Sequence, residues 1–321
     1  VEIARVHPEL RGLVRRVPPL PIGTALGRWA LRRLAALAPN RRVDGVRIEP
    51  WNDVHPALRS YRPSARRSDA ALLWLHGGGM VIGRASQDDR LCSETARALG
   101  MLVVSVEYRL APEFPFPAPL DDAHAAWTWI QRNADALGID PTHVAVGGQS
   151  AGGGLAAALA QRLHDESGRG AAAQWLYCPM LDDRTAMRRE LDAVEHFVWN
   201  NRNNAVGWRA LLGTSAGGEL PRYAAAARRD DLDGLPPAWI GAGDIELFFE
   251  ENETYAERLR AAGVAVEFDV VPGAPHGFVA WAPDAEVTRA FVGRAQAWLE
   301  RTLSGTGGGR RPGKGWCRST S

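Results

Sequence analysis

Two serines in this chain sit in the pattern Gly-x-Ser-x-Gly. Ser150 lies in VAVGGQSAGGGLAAALA, between Gly148 and Gly152, and Ser215 lies in LLGTSAGGEL, between Gly213 and Gly217. A serine hydroxyl is a weak nucleophile at neutral pH, so it needs a base to take its proton and a third group to orient that base. The pattern contributes a sharp turn: a strand ends, the serine sits at the strained corner, and a helix begins with its free N–H groups aimed at developing negative charge. Around Ser150 that succession is complete. HVAV supplies the strand, Gly147, Gly148, Gly152 and Gly153 supply the room, and LAAALAQRLH supplies the helix. Ser215 instead follows the helical AVGWRALLG and precedes a stretch interrupted by Pro221, with Gly213 suited to a helix C-terminal cap. The chain holds 34 glycines, enough for one chance copy of so short a motif, and context assigns the nucleophile to Ser150.

Acyl transfer also needs donors for the oxyanion. In LLWLHGGGMVIG, His76 precedes Gly77, Gly78 and Gly79, whose bare backbone lets amides approach a substrate oxygen. The expected oxyanion hole is Gly77, Gly78 and Ala151, each donor contributing on the order of 3 kcal/mol in the transition state. The ring of His76 is expected to order the loop. For the base, the chain order Ser, acid, His leaves His164, His196 and His276. His164 is expected on the exposed end of the helix after Ser150, and His196 in an inserted segment. His276, in the Pro/Gly-rich VVPGAPHGFVAW after the last apolar run, is placed to hang over the serine. The acid is expected in PAWIGAGDIELFFEEN, where Asp244 and Glu246 both qualify.

Positioning these residues requires a sheet. AALLWLHG, MLVVSVEY, HVAVGGQ, QWLYCPML, PAWIGAGD and VEFDVVPG read as strands, most of them near-continuously apolar as in parallel strands buried on both faces. Between them lie the helical patterns SQDDRLCSETARALG, PLDDAHAAWTWIQRNADALG, GLAAALAQRLHDES, FFEENETYAERLRAAG and DAEVTRAFVGRAQAWLERTL. Gly100, Gly138 and Gly263 stand as C-terminal caps. The alternation predicts an α/β fold with a parallel sheet. It breaks between about Asp182 and Arg229, where RRELDAVEHFVWNNRNNAVGWRALLG reads as helical. An insertion there, after a strand, sits over the edge where open α/β sheets bind ligands. Phe197, Trp199 and Trp208 either line an entrance or pack between this cap and the sheet.

Composition narrows the function classes. The 321 residues carry a net charge of +1 and no basic stripe interleaved with aromatics, so no nucleic-acid partner is expected. No apolar run reaches the roughly 20 residues that span a bilayer, and no signal-peptide pattern opens the chain. No membrane partner is therefore expected. Cys92, Cys178 and Cys317 are odd in number and far apart, which predicts free thiols, no metal site and a cytoplasmic location. No cofactor is expected. Gly308 to Lys314 approaches a phosphate-binding loop but is followed by Gly315 where Ser or Thr is needed.

Together, HGGGM at His76–Met80, YRLAPEFPFPAPLDD at Tyr108–Asp122, GGQSAGGG at Gly147–Gly154 and PHGF at Pro275–Phe278 resemble the hormone-sensitive-lipase-like α/β-hydrolases, the bacterial family IV or GDXG carboxylesterases. The resemblance runs from about residue 43 to 303. It implies an eight-stranded, mostly parallel sheet under a helical cap, hydrolysis of short-to-medium acyl esters, and in some members a homodimer. Aligning EENETYAERL with the family pattern implies Glu246 as the acid, completing a catalytic set of Ser150, Glu246 and His276. The family commonly has Asp or Thr at the position of Gln149 and a large aromatic at that of Met80. Both are expected to face substrate. The expected organisation is residues 1–43 as N-terminal cap helices, 44–181 and 230–303 as the hydrolase domain, 182–229 as the cap insertion and 304–321 as a disordered tail.

Overall fold

The computed structural model describes residues 1–37, 43–167, 170–213 and 218–305. Ser215, Cys317 and most of the expected tail lie outside these residues. Helices α1 (Pro8–Val14) and α2 (Ala25–Leu37) precede strands β1 (Val46–Trp51), β2 (Leu58–Pro63) and β3 (Ala71–Leu75). Helix α3 (Asp89–Leu99) leads to β4 (Leu102–Val106). Helices α4 (Ala118–Arg132) and α5 (Ala134–Leu137) lead to β5 (Val144–Gln149), and α6 (Ala151–Ser167) to β6 (Gln174–Tyr177). Helix α7 (Asn201–Leu212) lies between β6 and β7 (Ala238–Gly243). Helix α8 (Phe249–Ala261) precedes β8 (Val266–Val271), which α9 (Phe278–Trp281) and α10 (Glu286–Gly305) follow.

All eight strands form one sheet in the order β1-β2-β4-β3-β5-β6-β7-β8. Strand β2 pairs antiparallel with both neighbours, and the remaining pairs are parallel. The six apolar runs read from sequence became β3 to β8. Strands β1 and β2 lacked that mark, because VRIEPW and LRSYRP mix charges with apolar residues. Edge strand β1 keeps no residue fully buried and carries Pro50, which an edge tolerates.

Period-two alternation splits each central strand between two cores. Ala71, Leu73 and Leu75 of β3 join the core under α4, α6 and α8. Leu72 and Trp74 join a second core under α3 and α10. The second core is built on aromatic contacts: Trp74 meets Trp175 edge-on at 5.6 Å, and Tyr177 meets Phe291 at 5.7 Å. Gly100 and Gly138 cap their helices in the left-handed region.

The inserted segment departs from the expected run of helix. Only a 3₁₀ turn at Arg189–Ala193 and α7 are helical within residues 188–213. Asn200 explains the break: its side-chain oxygen accepts from the Asn203 amide at 3.0 Å, which starts a new helix at Asn201.

Strand β2 is tied to α3 by a buried ion pair. Arg59 Nε and Nη2 donate to the two carboxylate oxygens of Asp89 at 2.6 and 2.8 Å, and the Tyr61 hydroxyl donates to Asp89 at 2.8 Å. Arg59→Ala leaves the buried Asp89 carboxylate without its cation, and is expected to destabilise the fold by about 3 kcal/mol in urea unfolding.

Candidate active site

The parallel strands deliver their loops to one edge of the sheet. Strand β5 ends at Gln149 and α6 begins at Ala151, so Ser150 alone makes the corner. Its φ is +56°, a left-handed conformation that a side-chain-bearing residue adopts at a cost of about 1–2 kcal/mol. Hydrogen bonds fix the corner: the Ser150 amide donates to Tyr177 O at 2.8 Å, and Ser150 O accepts from the Gly154 and Met180 amides at 3.0 Å each. Gly152 allows α6 to start against the end of β3, since a Cβ there would stand 2.0 Å from Leu75 O.

His276 and Glu246 converge on this corner. His276 Nε2 lies 2.9 Å from Ser150 Oγ, and His276 Nδ1 lies 2.6 Å from Glu246 Oε2. The Glu246 side chain is fully buried and its other oxygen, Oε1, has no hydrogen-bond partner among the described residues. Asp244 is exposed, and its Oδ1 accepts from the Gly273 amide at 2.6 Å, bracing the loop after β8. Geometry thus separates two acids that the residues alone leave equivalent. Trp281 Nε1 donates to His276 O at 3.0 Å, and Phe248 packs edge-on against the imidazole at 5.2 Å. Burial opposes charge on this ring, but the Cys178 thiol and the Glu246 carboxylate favour the imidazolium. The net shift is upward from the ordinary histidine value. Nothing in sequence spacing announced Cys178 or Phe248 as neighbours of His276. Of the other two histidines, His164 is half-buried rather than exposed and sits against Gly234, while burial holds the His196 pKa down.

The loop after β3 lies against the corner. A Cβ on Gly77 would stand 3.1 Å from Gln149 O and 3.5 Å from Ser150 Cβ, and Gly78 has a φ of +127° that favours glycine. The Gly77, Gly78 and Ala151 amides therefore belong to the segments that flank the serine. His76 is wholly buried and stacks on Tyr108 at 4.1 Å. Burial lowers its pKa to about 4, which keeps it neutral. Met80 is buried in an apolar hollow beneath α7 with Leu155, Met180 and Trp208. Trp199 closes over the glycine loop, since a Cβ on Gly79 would meet its ring at 2.2 Å. Trp199 and Trp208 are both buried, and Phe197 is half-buried. Asp69, Asp140 and His143 bring potential metal-binding atoms within 4.8 Å of one another, but at the opposite edge, where β3 and β5 begin.

A family model described as "alpha/beta hydrolase fold" matches residues 72–280. Carboxylesterase NlhH of Mycobacterium tuberculosis is 32% identical over 297 residues, covering 88% of this chain and 90% of that protein. Among solved structures, a bacterial heroin esterase superposes with a TM-score of 0.85 at 36% identity, over 94% of this chain and 99% of its own. Esterase LipW of Mycobacterium marinum does so at 0.83 and 33% identity, over 94% and 97%.

With His276 as the base for Ser150, the role proposed below, only the unprotonated imidazole acts, so kcat/KM should fall on the acid side, with its midpoint above the ordinary histidine value near 6.5. Glu246→Gln removes the charge that favours the imidazolium, which should move that limb to lower pH and cut the rate on the order of 10⁴-fold. Asp244→Asn should keep the wild-type limb. A pH–rate profile of the two variants checks both.

Proposed function

The chain belongs to the hormone-sensitive-lipase-like branch of the α/β-hydrolases, and from that premise we propose that Ser150, His276 and Glu246 form its catalytic triad for hydrolysing short-to-medium acyl esters. The observation that supports the triad is the relay of 2.9 and 2.6 Å from Ser150 Oγ through His276 to Glu246, at a corner backbone of positive φ. The activity is carboxylic ester hydrolysis. Ser150 Oγ attacks the ester carbonyl as His276 Nε2 takes its proton. The Gly77, Gly78 and Ala151 amides hold the oxyanion, and Glu246 holds the imidazolium in orientation. His276 then gives the proton to the departing alcohol, leaving an acyl-enzyme on Ser150. Water, deprotonated by the same imidazole, attacks that ester and releases the carboxylic acid. The chemistry uses no cofactor.

Residues 182–229 and the N-terminal helices serve as the cap in this reading. Two contacts support it: Trp199 on Gly79, and Arg32 of α2, which donates to Val81 O at 2.8 Å and Ala111 O at 2.9 Å. Among the described residues no helix is long and apolar enough to cross a membrane. A cytoplasmic location is part of the proposal, supported by the buried free thiols of Cys92 and Cys178. A homodimer is too, supported by Leu26, Trp29, Leu34 and Leu37, which α2 leaves exposed.

Ser150→Ala should abolish hydrolysis of p-nitrophenyl butyrate, a loss on the order of 10⁶-fold in kcat, while Ser215→Ala retains it. Activity that survives the first change and is lost with the second would contradict the assignment.

A further inference from the structure

A second cavity, of about 380 Å³, opens at the edge of the sheet where β4 begins, beside Leu102. Strands β3, β4 and β5 are parallel, so this edge is the one opposite Ser150, which follows the end of β5. Strands β1 and β2 supply part of the wall. In their antiparallel register Arg47 stands directly across from Arg62, so both side chains leave the same face of the sheet, and both line the cavity. Arg66, in the loop from β2 to β3, lines it as well.

Like charges at directly opposed positions repel. One carboxylate is shared between the two strands: Glu49 Oε1 lies 3.2 Å from Arg47 Nε, and Glu49 Oε2 lies 3.5 Å from Arg62 Nε. The Arg62 side chain is only 22% exposed, and its approach to Glu49 is longer than the roughly 3.2 Å of an ordinary N–H···O bond. Among the described residues its Nη groups have no partner. Arg66 is fixed in place at the C-terminus of α5. Its Nε donates to Ser68 O at 3.1 Å, its Nη1 to Leu137 O at 2.5 Å and its Nη2 to Gly138 O at 2.6 Å. A guanidinium carries more N–H groups than these bonds use. Burial, and then the neighbouring Arg62 charge, push the Arg66 pKa below the ordinary arginine value, and Asp69 offsets this only in part. Asp69 is itself turned to His143, whose Nδ1 lies 3.4 Å from its Oδ1. The cavity thus sets three guanidinium groups against the one carboxylate of Glu49, an excess of two positive charges.

We propose that this cavity is an anion site, and that it takes a phosphate dianion, either free or as the head of a small phosphate monoester. Two negative charges balance the excess, and the planar fork of a guanidinium matches a pair of phosphate oxygens. Ser64, which is exposed and lines the cavity, adds a hydroxyl that can donate to the same anion. Leu102 and Pro63 line it with apolar surface, against which the organic part of a monoester can lie. The site is on the far edge of the sheet from Ser150, so the proposal is independent of the catalytic reading.

Isothermal titration calorimetry of the full chain with inorganic phosphate and with phenyl phosphate tests the proposal, at an ionic strength held constant with sodium chloride. Saturable binding with a Kd of about 1 mM or tighter is expected for at least one of the two. Tighter binding of phenyl phosphate identifies a monoester as the ligand, and equal binding identifies the free ion. Arg62→Gln should weaken the binding about tenfold or more, the equivalent of one lost charge-assisted bond. Arg47→Gln, at an exposed position, should weaken it in the same direction. Far-UV circular dichroism checks that both variants fold, and both should hydrolyse p-nitrophenyl butyrate at the wild-type rate. If Arg62→Gln does not fold, Arg47→Gln decides. No saturable heat with either ligand up to about 20 mM, or affinities unchanged in the folded variants, would overturn the proposal.

Discussion

The site depends on one backbone constraint, the left-handed conformation of Ser150. A strand that passes directly into a helix has no loop to absorb the change of direction, so one residue must take it all. The molecule holds that residue with bonds from outside the turn, to Tyr177 O on β6 and from the Met180 amide just beyond it. Strand β6 therefore serves as an anchor for the corner. The small residues around the serine follow from the same constraint, because α6 must begin almost in contact with the carbonyls of Leu75 and His76. That closeness brings the glycine loop after β3 beside the serine hydroxyl.

A second constraint is electrostatic. Glu246 and His276 are both buried, and neither a carboxylate nor an imidazolium is stable alone in such surroundings. Each compensates the desolvation of the other, which keeps the imidazole oriented with Nε2 toward Ser150 Oγ. Phe248 and Trp199 close the ring in, and their bulk keeps water from weakening the pair. Removing one member therefore costs more than one hydrogen bond, since it strands the other in an apolar setting.

How much of this the sequence reveals depends on how local each feature is. Strands β3 to β7 were legible because burial on both faces writes a near-continuous apolar run, and edge strand β8 because Val266, Phe268 and Val270 recur at every second position. Ser150 was legible because a strand, a glycine cluster and a helix adjoin in sequence. His276 was legible from chain order and its loop. Asp244 and Glu246 were not separable from the residues, because the choice rests on which carboxylate turns toward His276, and Asp244 turns instead to Gly273. Strands β1 and β2 escaped because arginine, glutamate, serine and proline interrupt their apolar residues, although β2 is largely buried. The break before α7 rests on a single side chain, Asn200, and a hydrophobic pattern does not register that cap.

Peptide mass mapping after reaction with diethyl p-nitrophenyl phosphate tests the central claim most directly, because the reagent phosphorylates only a serine that is activated as a nucleophile. The account predicts one diethylphosphoryl adduct per chain, on the peptide that contains Ser150, with loss of esterase activity in proportion to labelling. An adduct on the Ser215 peptide, or full inhibition with Ser150 unmodified, would contradict it.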